Sequence, residues 1–263
     1  MIVVRSWGIA GSLVGAGHLG RAWLGQSRGG AVDLRSHALA NRLVGNAEQA
    51  GAIETSGGLE LELPEAALVA ITGAVAEWTV LGGPPVGWGV PVVLPAGARL
   101  RGGRLLAGAR SYLAVRGGLV EAGTGALEVD ALVVSAPATH PASRAEPLTT
   151  VRVWPGPRRD WFTPEAWHAL LHSPYRVADT SRVGVRLVGE PLTRARRGEL
   201  PSEGLVEGAI QVPPDGQPIV MLADHPTTGG YPVIAVVDPD DLHHLAQAAA
   251  GTDLRCTRHP AAR

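Results

Sequence analysis

The residues best equipped for chemistry lie between 202 and 232. Ser202-Glu203-Gly204 sets a hydroxyl beside a carboxylate in a turn, Gln211 sits in an apolar run, and Asp224 precedes Thr227-Thr228-Gly229-Gly230-Tyr231-Pro232. A glycine pair lets a backbone approach a ligand closely, and the neighbouring threonine hydroxyls both donate and accept. For a lone Thr-Thr-Gly-Gly, a loop that is merely polar would be the plainer reading.

The elements that must hold these residues are readable. Ala209–Val212 and Ile219–Ala223 are β-prone runs joined by Pro213-Pro214-Asp215-Gly216. Proline presets φ, aspartate bonds its own backbone and glycine supplies positive φ, so the stretch reads as a hairpin with a rigid tip. A third strand follows at Val233–Val237. Hairpin geometry then gathers Gln211, Asp224, Thr227, Thr228 and Tyr231 at one end of a β unit, a candidate polar pocket, with Ser202 and Glu203 as further lining. Arg182 and Arg186 are four apart in an expected strand, hence on one face. Their guanidinium forks could clamp a carboxylate. Asp33 is either a catalytic acid or the N-cap of a helix. Asn41 and Asn46 either contact a ligand or tie loops together.

Thirty-five glycines and twenty-one prolines among short β-branched runs indicate a mainly β protein with many turns. Leu59–Leu63 alternates with period two. Ala67–Thr72, Trp78–Leu81, Val90–Leu94, Arg99–Arg101, Arg104–Leu106 and Ser111–Val115 read as further strands, with a tight turn at Arg101-Gly102-Gly103-Arg104. Three helices are expected. Asp33 opens one that packs Leu34, Ala38, Leu39 and Leu43 and stops at Gly45; Thr163-Pro164 and Asp238-Pro239 open the others. Ser135–Thr150, rich in Pro, Ala, Ser and Thr, reads as a linker between halves 1–140 and 151–263.

Composition excludes several chemistries. At 263 residues and net charge −1, the chain shows no electrostatic footprint for nucleic acid or an anionic membrane. No apolar run approaches the ~20 residues of a membrane span, and the start lacks a signal-peptide layout. One cysteine, Cys256, fits a reducing compartment, so the cytoplasm is expected. All 23 Lys+Arg residues are arginine. Biotin is carried on lysine, so this chain carries none, and Schiff-base and P-loop lysine chemistry are excluded as well. Gly15-Ala16-Gly17-His18-Leu19-Gly20 is formally G-x-G-x-x-G, but the glycine-rich run behind it cannot open the helix a dinucleotide needs. His168 and His172 have i, i+4 spacing without a third ligand, so no metal site is expected.

The string from Ser202 to Pro232 resembles the SEG…IQVPPxGxPI…D-x-x-TTGGYP signature of the allophanate hydrolase subunit 2 family. These are KipA-like proteins with a biotin-dependent carboxyltransferase domain, among them one of the subunits of 5-oxoprolinase. The likeness continues at Gly30-Ala31-Val32-Asp33, at Asn41-Arg42-Leu43-Val44-Gly45-Asn46, at Ser111–Gly118 and at Arg182–Leu187. The chain departs from the pattern where V-Q-D-x-G-R is usual, having Val14-Gly15-Ala16-Gly17-His18. It has a shortened loop after Gly118, and Pro226 in place of glutamine.

The resemblance implies two cyclophilin-like β-barrels. It also implies a subunit of an ATP-dependent cyclic-amide hydrolase that opens 5-oxo-L-proline to L-glutamate; for that reaction the amides of Gly229 and Gly230, with Thr227 and Thr228, would suit the oxyanion donors, and Glu203 or Asp224 the catalytic base. The partners implied are subunit 1 (KipI-like) of the same family and a third 5-oxoprolinase subunit, with ATP held by the complex. Two alternatives stay open: carboxyl transfer from a biotin borne by another chain to urea or another amide, and a non-catalytic KipA-like module that antagonises a histidine-kinase inhibitor.

Overall fold

The computed structural model describes residues 1–122, 126–130, 135–137, 150–196 and 198–262. Strands occupy 41% and helices 14%, so the chain is mainly β, with three short helices and two barrel-like sheets, one closed and one nearly closed. It divides into two compact units: Met1–Gly17 with Asp33–Glu146, and His18–Val32 with Pro147–Arg263. The N-terminal half thus gives fifteen residues, 18–32, to the second unit, as a loop rather than a strand. Most of the expected linker, residues 138–149, lies outside the described residues.

The second unit is a closed seven-stranded barrel. Its strands run in the order Thr150–Pro155, Val233–Val237, Ala209–Gln211, Ile219–Met221, Gly184–Val188, Tyr175–Thr180, Asp253–Arg258. The last lies parallel to the first and closes the ring; every other neighbour is antiparallel. Period-two alternation sends Val151 and Val153, Val185 and Leu187, and Leu254 and Cys256 into one core, while their neighbours face out. The expected hairpin is present, with Ile210 opposite Val220 and a tip closed by Gly216 N–H donating to Pro213 O at 3.0 Å. Gly216 takes φ +77°, the conformation its position in the turn demands.

Helix α1, Leu34–Val44, is capped by the Asp33 side chain on Ser36 N–H and ends at Gly45 in the left-handed region. Its inner face differs from the expected one. His37, Ala40, Asn41, Leu43 and Val44 are buried, whereas Leu34 is exposed, because this helix covers polar as well as apolar surface. Helix α2, Pro164–His172, has Thr163 as its cap and buries Ala166, Ala169 and Leu170. The third helix begins as a 3-10 turn at Pro239–Asp241, and only Leu242–Ala246 form α3.

The first unit is a nine-stranded sheet built on two long strands, Ala67–Val80 and Ala98–Val115, which pair along most of their length. The turn expected at Arg101–Arg104 is absent. Gly102 instead lies opposite Trp78, where a Cβ would stand 2.9 Å from the indole. The glycine makes room for a ring on the neighbouring strand and does not reverse the chain. The run Gly15–Gly20 is where the chain passes from one unit to the other, followed only by a 3-10 turn at Ala22–Leu24. No helix among the described residues is long and apolar enough to cross a membrane.

Candidate functional site

The site-bearing loops of the second unit are held by arginine–carboxylate pairs. Arg182 Nε donates to Asp224 Oδ2 at 2.7 Å and Nη2 to Oδ1 at 3.1 Å, and Nη2 also reaches the carbonyl of Gly30 at 2.7 Å. Arg28 grips Glu207 with Nε to Oε2 at 2.7 Å and Nη2 to Oε1 at 2.8 Å, and also bonds the Ala31 carbonyl. The Arg28 and Glu207 side chains are only 9% and 17% exposed, so each charge depends on the other. Arg158 holds Glu203 in the same two-pronged way, Nε to Oε2 at 2.9 Å and Nη2 to Oε1. With Gly29 N–H on the Ala223 carbonyl at 3.0 Å, the Arg182–Gly30 and Arg28–Glu207 contacts fasten loop 18–32 to the turns that carry Arg182, Glu207 and Ala223.

The pairs change what the predicted residues do. Arg182, expected to hold a ligand carboxylate, holds Asp224. Arg186 is exposed on Gly184–Val188, while Arg182 stands before that strand in the turn from Ser181 to Gly184, so the two do not share a strand face. Glu203 and Asp224 are both ion-paired, each carboxylate taken up by a guanidinium fork.

Glu203-Gly204 and Thr228-Gly229 form a two-stranded ladder of their own, Glu203 opposite Gly229. Gln211, buried, lies beneath it and donates from Nε2 to the Tyr231 carbonyl at 3.0 Å. A Cβ at Gly229 would stand 2.7 Å from that Nε2 and 2.8 Å from Leu205 Cδ1, so the glycine is dictated by packing. Ser202, Thr228, Gly230 and Tyr231 are exposed.

Asp33 and Asn41 belong to the first unit and have structural partners. Asp33 caps α1 through both carboxylate oxygens, onto Ser36 N–H at 3.0 Å and Ser36 Oγ at 2.6 Å. Its own N–H donates to the Tyr112 hydroxyl, which in turn donates to buried Glu54. Asn41 donates to the Ala50 carbonyl and accepts from Asn46, which bonds the Val115 carbonyl and accepts from Gly117 N–H. The amides tie loops together. His168 and His172 are exposed and stacked on one another, and among the described residues no His, Cys, Asp and Glu cluster could hold a metal.

A cleft of about 210 Å³ opens in the second unit between loop 18–32 and the loops after Gly204 and Ala223. Its polar lining is His18, Arg21, Gln26, Ser27, the Arg28–Glu207 pair, His225 and Thr227, and Leu19, Ala22, Leu205 and Val206 are apolar. Of the predicted residues, only Thr227 lines it. Loop 18–32 carried no strand or helix pattern to mark it, and Arg28 and Glu207 are 179 residues apart in sequence. The one available signal was the departure at His18, which now stands at the cleft.

Comparison with known proteins gives a consistent result. The family described as carboxyltransferase domain, subdomain A and B, matches residues 24–127 and 121–258. A 5-oxoprolinase subunit of Escherichia coli is 36% identical over 260 residues, 86% of this chain and 81% of that protein. The urea amidolyase of Lachancea kluyveri is 28% identical over 91% of this chain but only 16% of its own length. The crystal structure of TTHA0988 superposes with a TM-score of 0.86 at 33% identity, covering 97% of this chain; the chain spans 55% of the length of that one.

Proposed function

The chain belongs to the carboxyltransferase-domain family, subdomains A and B, and from that membership we propose that it is a subunit of a 5-oxoprolinase-type hydrolase. The reaction is the opening of 5-oxo-L-proline to L-glutamate, coupled to ATP. The observation that carries this reading is the 36% identity to a 5-oxoprolinase subunit along most of both chains. The cleft of the second unit is its chemical counterpart. Its volume suits a small molecule, the apolar residues in its lining suit a small ring, and Arg21 in the lining suits a carboxylate. Oxyanion donation falls to backbone and hydroxyl groups near Thr227, the predicted residue at the cleft.

A nucleoside triphosphate does not fit these residues. The cleft is too small, and the glycine-rich run Gly15–Gly20 leads into a single 3-10 turn with no helix N-terminus for phosphates. These features support a reading in which ATP is held by another subunit of the complex. The partners are a subunit 1 of the same family and a third subunit. The test is glutamate formation from 5-oxoproline and ATP by this chain co-purified with the products of neighbouring genes, each omitted in turn. Glutamate that requires this chain supports the reading; unchanged turnover without it rejects the reading.

One observation favours a second reading. The urea amidolyase relative spans 91% of this chain, and carboxyl transfer from biotin to an amide nitrogen would use a similarly small polar cleft. Without lysine the chain would take its biotin from a separate carrier protein. Carboxylation of urea by the complex with a biotinylated carrier, and none of 5-oxoproline, would decide for it.

A further inference from the structure

Glu203 and Asp224 are held in guanidinium forks, so hydrolysis at this cleft lacks a free carboxylate base among the predicted residues. His225 lines the same cleft although its residue surface is only 6% exposed. Its Nδ1 lies 2.7 Å from the carbonyl oxygen of Pro226. A carbonyl can only accept, so in the neutral ring Nδ1 carries the proton and Nε2 carries the lone pair. The backbone contact thereby sets the tautomer, just as a second group orients the imidazole of any histidine base. Pro226 reinforces this, because its ring limits the backbone that presents the carbonyl.

We propose that His225 is the proton acceptor of the cleft, acting through Nε2 on the nucleophilic water. The proposal rests on the amide-hydrolase reading above. Water oxygen bonds the amide carbonyl carbon as one of its protons passes to Nε2. When the carbon–nitrogen bond breaks, the same proton passes to the departing nitrogen. This step consumes one water and returns the imidazole to its starting state, with acid and amine as products; the ATP of the overall reaction is spent on another subunit and takes no part in the step at this cleft. The charged and titratable groups that line the same cleft are His18, Arg21 and the Arg28–Glu207 pair, and Asp224 precedes His225 in sequence. Each of these two acids is held by an arginine, Glu207 by Arg28 and Asp224 by Arg182.

The test has two readouts. In the assembled complex, His225→Gln keeps the size and a hydrogen-bonding end but cannot take up a proton. It should lower kcat about a hundredfold or more and change KM by less than about threefold. Separately, ¹⁵N spectra of the histidine-labelled full chain should show Nδ1 protonated and Nε2 bare, and added 5-oxoproline should shift the Nε2 resonance. A variant that keeps wild-type kcat, or a histidine protonated on Nε2 alone, overturns the role of His225 while leaving the function of the chain intact. A wild-type complex without turnover rejects the hydrolase reading instead. His225 is then judged by the titration, where a shifted Nε2 supports its contact with the ligand and an unmoved one overturns it.

Discussion

At the scale of single residues, the cleft depends on contacts that tolerate little change. Gly229 packs its α-carbon over Gln211 and Leu205, with no room for a methyl group. Gly229→Ala is expected to displace the Gln211 amide from the Tyr231 carbonyl and to cost about 1–3 kcal/mol of stability. Thermal unfolding and turnover measured together would show both effects, and an unchanged melting temperature would refute the packing argument. The Arg28–Glu207 pair predicts a different pattern. Arg28→Met leaves a nearly buried carboxylate unpaired and should cost about 3–5 kcal/mol, whereas Arg28→Met with Glu207→Leu should recover much of that loss. A double-mutant cycle in urea would measure the coupling directly. A double variant as unstable as the single one would mean that Arg28 acts through its other contacts, the Ala31 carbonyl among them.

At the scale of elements, signals that act within a few residues were legible in the sequence, and signals that depend on distant partners were not. Asp33, Thr163 and Asp238 read as caps because a short polar side chain before an apolar run satisfies the free N–H groups of a helix. The hairpin at 209–223 was legible because Pro-Pro-Asp-Gly specifies its own turn. Gly102-Gly103 was misread as a turn because its cause, the Trp78 ring, lies on another strand. The cleft was mostly illegible for the same reason: loop 18–32 joins the barrel through pairs that only the folded chain brings together. The caps yield a test that separates structure from catalysis. Asp33→Ala removes two bonds to Ser36 and should cost about 0.5–2 kcal/mol, with turnover of the folded fraction unchanged. A loss of turnover without a loss of stability would return Asp33 to the candidate site.

At the scale of the whole molecule, buried charge and buried histidine give acid sensitivity in two separate windows. In the first unit, burial lowers the pKa of His37 below its ordinary value, more than the carbonyls of Ala50 and Val14 and the charges of Glu54 and Asp33 raise it. An unfolded histidine takes up its proton near pH 6.5, while folded His37 resists until the pH is lower still. Below about 6.5 the unfolded chain therefore binds more protons, and stability falls as pH falls, by at most about 1.4 kcal/mol per pH unit for one group. In the second unit, burial opposes the ionised forms of Asp238 and Asp241, but stronger contacts hold both carboxyls below their usual range. For Asp238 these are Trp154 Nε1, the Asp240 amide and the charges of Arg152 and His259. For Asp241 they are the hydrogen bonds and charge of Arg152, with His244. Their contribution is present above the unfolded carboxylate pKa of about 4 and is lost as pH falls through it. Of these three groups only His37 acts between pH 7 and 5, so His37→Gln should flatten the fall of the urea midpoint across that interval. Asp241→Asn should leave the slope between pH 7 and 5 unchanged and flatten only the part below about 4. Midpoints recorded from pH 7 to 3 for wild type and both variants decide this, and a wild-type midpoint constant from pH 7 to 5 would contradict the buried neutral state of His37.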